Sequence, residues 1–91
     1  MSDRREAQDD AERFPRIVGT KGVLRGEPTV KGTRVSVRAI VVYHRMYRDI
    51  EPIQRAVPHL ERAAIEEALR YYDAHHEEID QYIAENEVDV S

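Results

Sequence analysis

The chain contains no cysteine, no tryptophan and a single phenylalanine. Without cysteine, neither disulfide bonds nor thiolate metal sites can form. No apolar run approaches the roughly 18 residues of a membrane-spanning helix. The first ten residues, MSDRREAQDD, lack the apolar centre of a signal peptide, so we expect a cytoplasmic protein. Hydrolase and metalloprotease motifs such as Gly-x-Ser-x-Gly and His-Glu-x-x-His are also missing, and we expect neither enzymatic activity nor a cofactor.

What the chain does contain is enough for one small domain. Its 91 residues are 41% hydrophobic and 35% charged. A domain of this length buries only about 60% of the surface that its unfolded chain exposes, and such domains often depend on a partner chain. Since disulfides are excluded, we expect a homodimer. We predict a mobile arm over residues 1–13, a single domain over residues 14–85 and an acidic tail over residues 86–91.

Charge is divided unevenly along the chain, although the formal net charge is only −4. Residues 14–48 hold eight basic residues against one acidic residue, a net charge of +7, whereas residues 49–91 hold three against twelve, a net charge of −9. A basic surface is suited to phosphates and an acidic one to a basic protein. Alternatively, the two halves attract each other within a dimer. We predict nucleic-acid contacts at Lys31, Arg34, Arg38, Arg45 and Arg62.

The pattern of apolar residues changes near residue 37. Before it, short β-branched pieces separated by glycines predict strands joined by tight turns. After it, helical spacing predicts a first helix over Val37–Tyr47 with Ser36 as its N-cap. Asp49 is the N-cap expected for a short second helix, which Pro58 ends.

A third helix is predicted from Arg62 to Glu85, because its apolar residues recur every three or four positions and no proline or glycine interrupts them. Such a helix would be roughly 36 Å long, more than a small core can cover. We therefore predict that its outer half forms the dimer interface, with Tyr72, His76, Ile79, Tyr82 and Ile83. His76 and Asp80 share a helix face, but two ligands are too few for a metal site, and we expect the histidines to be structural.

The second and third predicted helices are joined by a Pro-His-Leu turn, a layout similar to a helix-turn-helix. The alternative is a helical hairpin that binds no DNA. The predicted fold class is mainly α, a small α+β domain.

Three segments resemble the bacterial and archaeal family known as domain of unknown function 433, several members of which are grouped with VapB-type antitoxins. The most specific is GEPTVKGTRVSV at residues 26–37. The others are IEPIQRAVPHL at residues 50–60 and IEEALRYY at residues 65–72. The chain departs from the family pattern where Tyr47-Arg48 replaces a glycine and where Glu61 replaces a serine or threonine N-cap.

The resemblance implies a three-helix, homeodomain-like helix-turn-helix with a short N-terminal β-hairpin, which here continues into a long C-terminal helix. It also implies the antitoxin of a type II toxin–antitoxin pair, with a PIN-like nuclease toxin encoded nearby and possible repression of its own promoter. Together with the charge division, it suggests that Glu85, Glu87 and Asp89 bind the toxin's positive or metal-binding centre. The alternatives are a stand-alone dimeric transcriptional regulator and a structural dimerisation module.

The Gly-Thr-Arg segment also has a structural explanation. Gly32 can adopt a positive φ, and the Thr33 hydroxyl can bond to the backbone of the turn. Arg34 then either contacts phosphate or pairs with a helix C-terminus or an acid such as Glu67.

Overall fold

The computed structural model describes residues 12–19 and 26–90, with side chains described as far as residue 86. The elements are β1 (Ile17–Gly19), β2 (Pro28–Val30), α1 (Val37–Tyr47), α2 (Ile50–Ala56), α3 (Arg62–Ala74) and α4 (His76–Val90). The predicted fold class, mainly helical with an N-terminal β-hairpin, is confirmed. In the described part of the chain, the helices are all too short or too polar to cross a membrane. Residues 1–11 of the predicted arm lie outside the described residues.

The two strands pair antiparallel, with Ile17 opposite Val30 and Gly19 opposite Pro28. Gly19 has a steric reason to be glycine, because a Cβ there would lie 2.9 Å from the Gly26 carbonyl oxygen. A side chain at this position would force the two ends of the hairpin apart.

Both predicted N-caps are confirmed. The Ser36 hydroxyl accepts a hydrogen bond from the Ala39 amide at 2.9 Å, and a carboxylate oxygen of Asp49 accepts one from the Ile50 amide at 2.7 Å. Each satisfies an amide that has no partner within its own helix. The first helix therefore begins and ends where its sequence predicts. Its C-cap is Arg48, whose φ of 57° lies in the left-handed region.

The core is built around α1, which contacts β2 and all three of the other helices. Ile40 from α1, Ile53 from α2 and Ile65 from α3 are all fully buried. Burying an isoleucine side chain contributes about 1.5–3 kcal/mol, so each of these three residues stabilises the packing of its helix in the core.

The prediction of one uninterrupted helix from Arg62 to Glu85 is wrong. The chain leaves the helical conformation at His75, with φ −132° and ψ 39°, and α4 then turns back against α1. The His75 amide still donates to the carbonyl oxygens of Tyr71 and Tyr72, at 2.9 and 3.1 Å. The bend brings Ile79 and Ile83 into the core, where a straight helix would leave both exposed.

Candidate nucleic-acid interface and partner-binding surface

The turn after β2 is built by Gly32 and Thr33, as predicted. Gly32 has a φ of 78°. The Thr33 hydroxyl donates to the Val30 carbonyl at 2.8 Å and accepts from the Val35 amide at 3.0 Å. This fixes the backbone between Lys31 and Arg34, whose side chains are both exposed. Neither forms an ion pair with any described residue.

An open groove of about 540 Å³ separates this turn from the connection between α2 and α3. Buried Val30 and Leu60 contribute to its floor. The charged and polar side chains along it include three basic groups and one acid: Arg16, Lys31, His59 and Glu61. The groove therefore places Lys31 beside the start of α3.

The connection between α2 and α3 is a tight turn. The Leu60 amide donates to the Val57 carbonyl at 2.9 Å, and Pro58 and His59 are exposed. Glu61 is the N-cap of α3 but makes no side-chain hydrogen bond to the first turn. Arg62 is exposed and lies 3.7 Å from Glu66 one turn further along. An exposed pair of this kind contributes well under 1 kcal/mol, so Arg62 can exchange Glu66 for another partner.

Arg38, a predicted nucleic-acid contact, pairs with an acid of the hairpin region. Its Nε donates to Oε1 of Glu27 at 2.7 Å. The Glu27 side chain is 7% exposed and that of Arg38 is 22% exposed. Glu27 is the only acid among residues 14–48, and a carboxylate buried to this degree needs a charged partner. The structure thus gives Arg38 a role in stability.

Arg45 is likewise held within the chain. One of its terminal nitrogens donates to the Tyr72 hydroxyl at 3.0 Å and to a carboxylate oxygen of Asp80 at 2.9 Å. The same Asp80 oxygen accepts from the Tyr72 hydroxyl at 2.8 Å. The hydrogen bond with Tyr72, aided by Asp80, raises the pKa of Arg45. The cluster is half exposed and connects the end of α1 to α3 and α4.

Sequence reasoning missed the pair between Arg16 and Glu67. Glu67 is 1% exposed; one of its oxygens accepts the Arg16 amide at 2.6 Å and the other accepts the Arg16 guanidinium at 2.9 Å. Arg34, one suggested partner of Glu67, is exposed instead. The position of Glu67 on the apolar side of a helix, between Ala64 and Ala68, could have indicated a buried acid. Its partner Arg16 could not be identified in this way, because it lies 51 positions away.

The predicted dimer residues separate into two groups. Ile79 and Ile83 are buried in the core of the chain itself, so in this fold they are not available to a partner. His76 is exposed, whereas Tyr72 and Tyr82 are half-buried. Burial is the main factor that raises the pKa of Tyr82, and the charges of Glu78, Glu27 and Glu85 add to it. A homodimer remains a prediction.

The exposed side of α4 is acidic. Glu77, Glu78 and Glu85 are all exposed, whereas the side chains of Glu87 and Asp89 lie outside the described residues. Within the described part of the chain, no three His, Asp or Glu side chains are grouped so that they could hold a metal ion. Two charged features among the described residues are therefore open to a partner, a basic group formed by Lys31, Arg34 and Arg62 and an acidic face on α4.

A family model described as "Protein of unknown function (DUF433)" matches residues 17–72, which is more than half of the chain. The crystal structure, at 2.00 Å resolution, of a DUF433 member protein from Anabaena variabilis ATCC 29413 has a similar fold. The two share 26% sequence identity with a TM-score of 0.71, over 91% of this chain and 81% of the other. No curated protein matches the chain.

Proposed function

This chain belongs to the DUF433 family, and from the distribution of its exposed charge we propose that it is an antitoxin that binds DNA at one end and a PIN-like nuclease toxin at the other. The observation that carries the proposal is the division of the exposed charge between two elements. Lys31 and Arg34 are exposed in the turn after β2, whereas Glu77, Glu78 and Glu85 are exposed on α4. Such separation suits a protein with one anionic and one cationic partner.

The DNA-binding part of the proposal rests on α2, the tight turn and α3. In a helix-turn-helix, the start of the second helix approaches base edges while flanking cations hold phosphates. Here Arg62 and Ala63 are exposed at the start of α3, and Lys31 and His59 lie along the adjacent groove. Because Arg38 and Arg45 are used inside the fold, we propose that Lys31, Arg34 and Arg62 make the phosphate contacts.

The toxin-binding part rests on the acidic face of α4. Exposed carboxylates complement a basic protein surface, and they can also approach a metal ion or occupy the electropositive centre of a nuclease. Glu85, Glu87 and Asp89 are the last three acids of the helix. We propose that these three residues contact the toxin.

Co-expression with the protein encoded by the adjacent gene, followed by a pull-down, tests the proposal. We expect a stable complex that relieves the toxicity of the neighbour. The triple variant Glu85→Gln, Glu87→Gln, Asp89→Asn removes three charges with little change in shape and should weaken inhibition. A matched control, Glu12→Gln, Glu51→Gln, Asp73→Asn, removes three exposed charges outside α4 and should leave inhibition intact. Equal inhibition by the two triple variants would refute the role of the C-terminal acids.

A stand-alone DNA-binding regulator is the second candidate, and the helix-turn-helix layout of α2 and α3 favours it. It predicts specific binding to DNA upstream of its own gene and no complex with the neighbouring protein. Absence of both the complex and DNA binding at low salt would leave a structural dimerisation module.

A further inference from the structure

The bend between α3 and α4 has no helix-breaking residue. The sequence there is Ala74-His75-His76, and the apolar spacing of α3 continues across it into α4. The bend has both local and distant contacts: the His75 ring stacks on Tyr71 with centroids 4.4 Å apart, the Tyr71 hydroxyl donates to Glu78 at 3.2 Å, and both rings contact buried Phe14. Local sequence is therefore compatible with both a bent and a straight connection, and tertiary packing selects the bend.

The side of α4 that faces the domain makes both apolar and polar contacts. Ile79 and Ile83 fill the core, and Asp80 pairs with Arg45 and Tyr72. A second copy of the chain offers the same apolar site and the same Arg45. Exchange of α4 between two copies would preserve these contacts, whereas a straight α3–α4 helix in a monomer would lose them.

Charge argues against a dimer in which two α4 helices simply lie side by side. The exposed face of α4 carries Glu77, Glu78 and Glu85 and no lysine or arginine among its described positions. Two such faces in contact would repel each other. Exchange avoids this repulsion because each acidic helix returns to the Arg45 side of a domain core.

We propose that two copies of this chain form a dimer by exchanging α4. Each α3–α4 connection straightens at His75, Ile79 and Ile83 enter the core of the other copy, and Asp80 pairs with Arg45 of that copy. The exchange accounts for an apolar stripe that runs unbroken through a bent segment. The exchanged helix carries the proposed toxin contacts, but Ile79, Ile83 and Asp80 are not among them, and the tests below are made without DNA or toxin, so they can fail independently of the proposed function.

The first test measures mass and helix exchange on the full chain refolded at high concentration. Light scattering should give twice the monomer mass of 10.6 kDa. A dimer made from equal parts of ¹³C-labelled and unlabelled chains should show intermolecular NOEs between methyl groups of α4 and those of α1. A monomer at every concentration, or a dimer whose α1–α4 NOEs are all intramolecular, would overturn the proposal.

The second test blocks the straight connection. Glu77 is the second residue of α4, and a proline is tolerated in the first turn of a helix, as Pro52 is in α2. In a straight helix, the same proline would remove a hydrogen bond and clash with the preceding turn. We expect Glu77→Pro to weaken the dimer by at least about 100-fold, with Glu77→Gln as the matched control that still dimerises.

A third variant tests the proposal in case Glu77→Pro does not fold. Insertion of Gly-Ser-Gly between His75 and His76 lengthens the hinge and favours closure within one chain. It should be monomeric with an unchanged far-UV circular dichroism spectrum. If either folded variant dimerises as strongly as Glu77→Gln, the exchange does not occur.

Discussion

Replacement of Arg38 by alanine distinguishes a structural arginine from a DNA-binding one. Arg38 is the charged partner of Glu27, which is only 6% exposed. Without the guanidinium, the carboxylate would stay in the same site with no compensating charge. We expect the variant to lose stability and to retain the salt dependence of DNA binding.

The magnitude follows from the burial of the pair. Removing one partner of a buried ion pair costs about 3–5 kcal/mol. Since the Arg38 side chain is 22% exposed, water can reach part of the vacated space, and we expect about 2–3 kcal/mol. A domain of this length has a free energy of unfolding of about 5–14 kcal/mol, so the variant should remain folded in buffer.

Urea denaturation measures the loss. With a slope of about 1 kcal/mol per molar urea, the midpoint should fall by about 2–3 M. The double variant Glu27→Gln, Arg38→Ala buries no charge and should recover at least about 1 kcal/mol of this loss. The matched control is Arg34→Ala, four positions earlier, which removes an exposed arginine and should change stability by less than about 0.5 kcal/mol.

The salt dependence of DNA binding should change in Arg34→Ala and stay the same in Arg38→Ala, the reverse of their effects on stability. Removing a side chain that neutralises one phosphate reduces the slope of log K against log salt by about 0.9. We expect that reduction for Arg34→Ala and none for Arg38→Ala. If Arg38→Ala costs less than about 1 kcal/mol and reduces the slope, then Arg38 contacts phosphate and our assignment of it to the hairpin is wrong.

Three further predictions concern single positions. Arg48→Gly should raise the free energy of unfolding by about 0.5–1 kcal/mol, because it relieves a φ of 57°, whereas Arg48→Ala should give no gain in the same denaturation assay. Ile79→Ala should lower the free energy of unfolding by about 2–4 kcal/mol, because Ile79 is fully buried. A loss below about 1 kcal/mol would mean that α4 does not pack as described. Since the pKa of Tyr82 is raised in the folded chain above its ordinary value of 10.0, the stability linked to it is complete below pH 10 and is lost as pH rises through the folded-state pKa. Denaturation at alkaline pH should therefore show a smaller loss for Tyr82→Phe than for the unmodified chain.

Local features of the fold could be predicted from the sequence because they depend on neighbouring residues. The caps Ser36 and Asp49, the positive φ of Gly32 and the hydroxyl bonds of Thr33 all involve groups no more than three positions apart. The bend at His75 depends on packing against α1, about 40 positions earlier in the chain, and no local signal marks it. Periodicity identified the apolar residues of α4 correctly, but it did not show that Ile79 and Ile83 are buried in the core of the chain itself.

The candidate site was harder to predict because charge counts do not show which charges are paired. Three of the basic residues between positions 14 and 48 are paired inside the fold: Arg16 with Glu67, Arg38 with Glu27, and Arg45 with Asp80. Two of those acids come from the acidic half. The attraction between halves that the sequence suggested for a dimer therefore operates partly within one chain.

This internal pairing limits the strength of any electrostatic contact with DNA. If Lys31, Arg34 and Arg62 make the phosphate contacts, one chain makes about three, and its salt slope should be about −2.7. A dimer that places both sets on one duplex should double that value, to about −5.4. A slope near −4.5 for a monomer would correspond to about five contacts, the number reached if Arg38 and Arg45 also bind phosphate and both internal pairs open. Measured beside the mass of the bound species, the slope tests the size of the free basic surface directly.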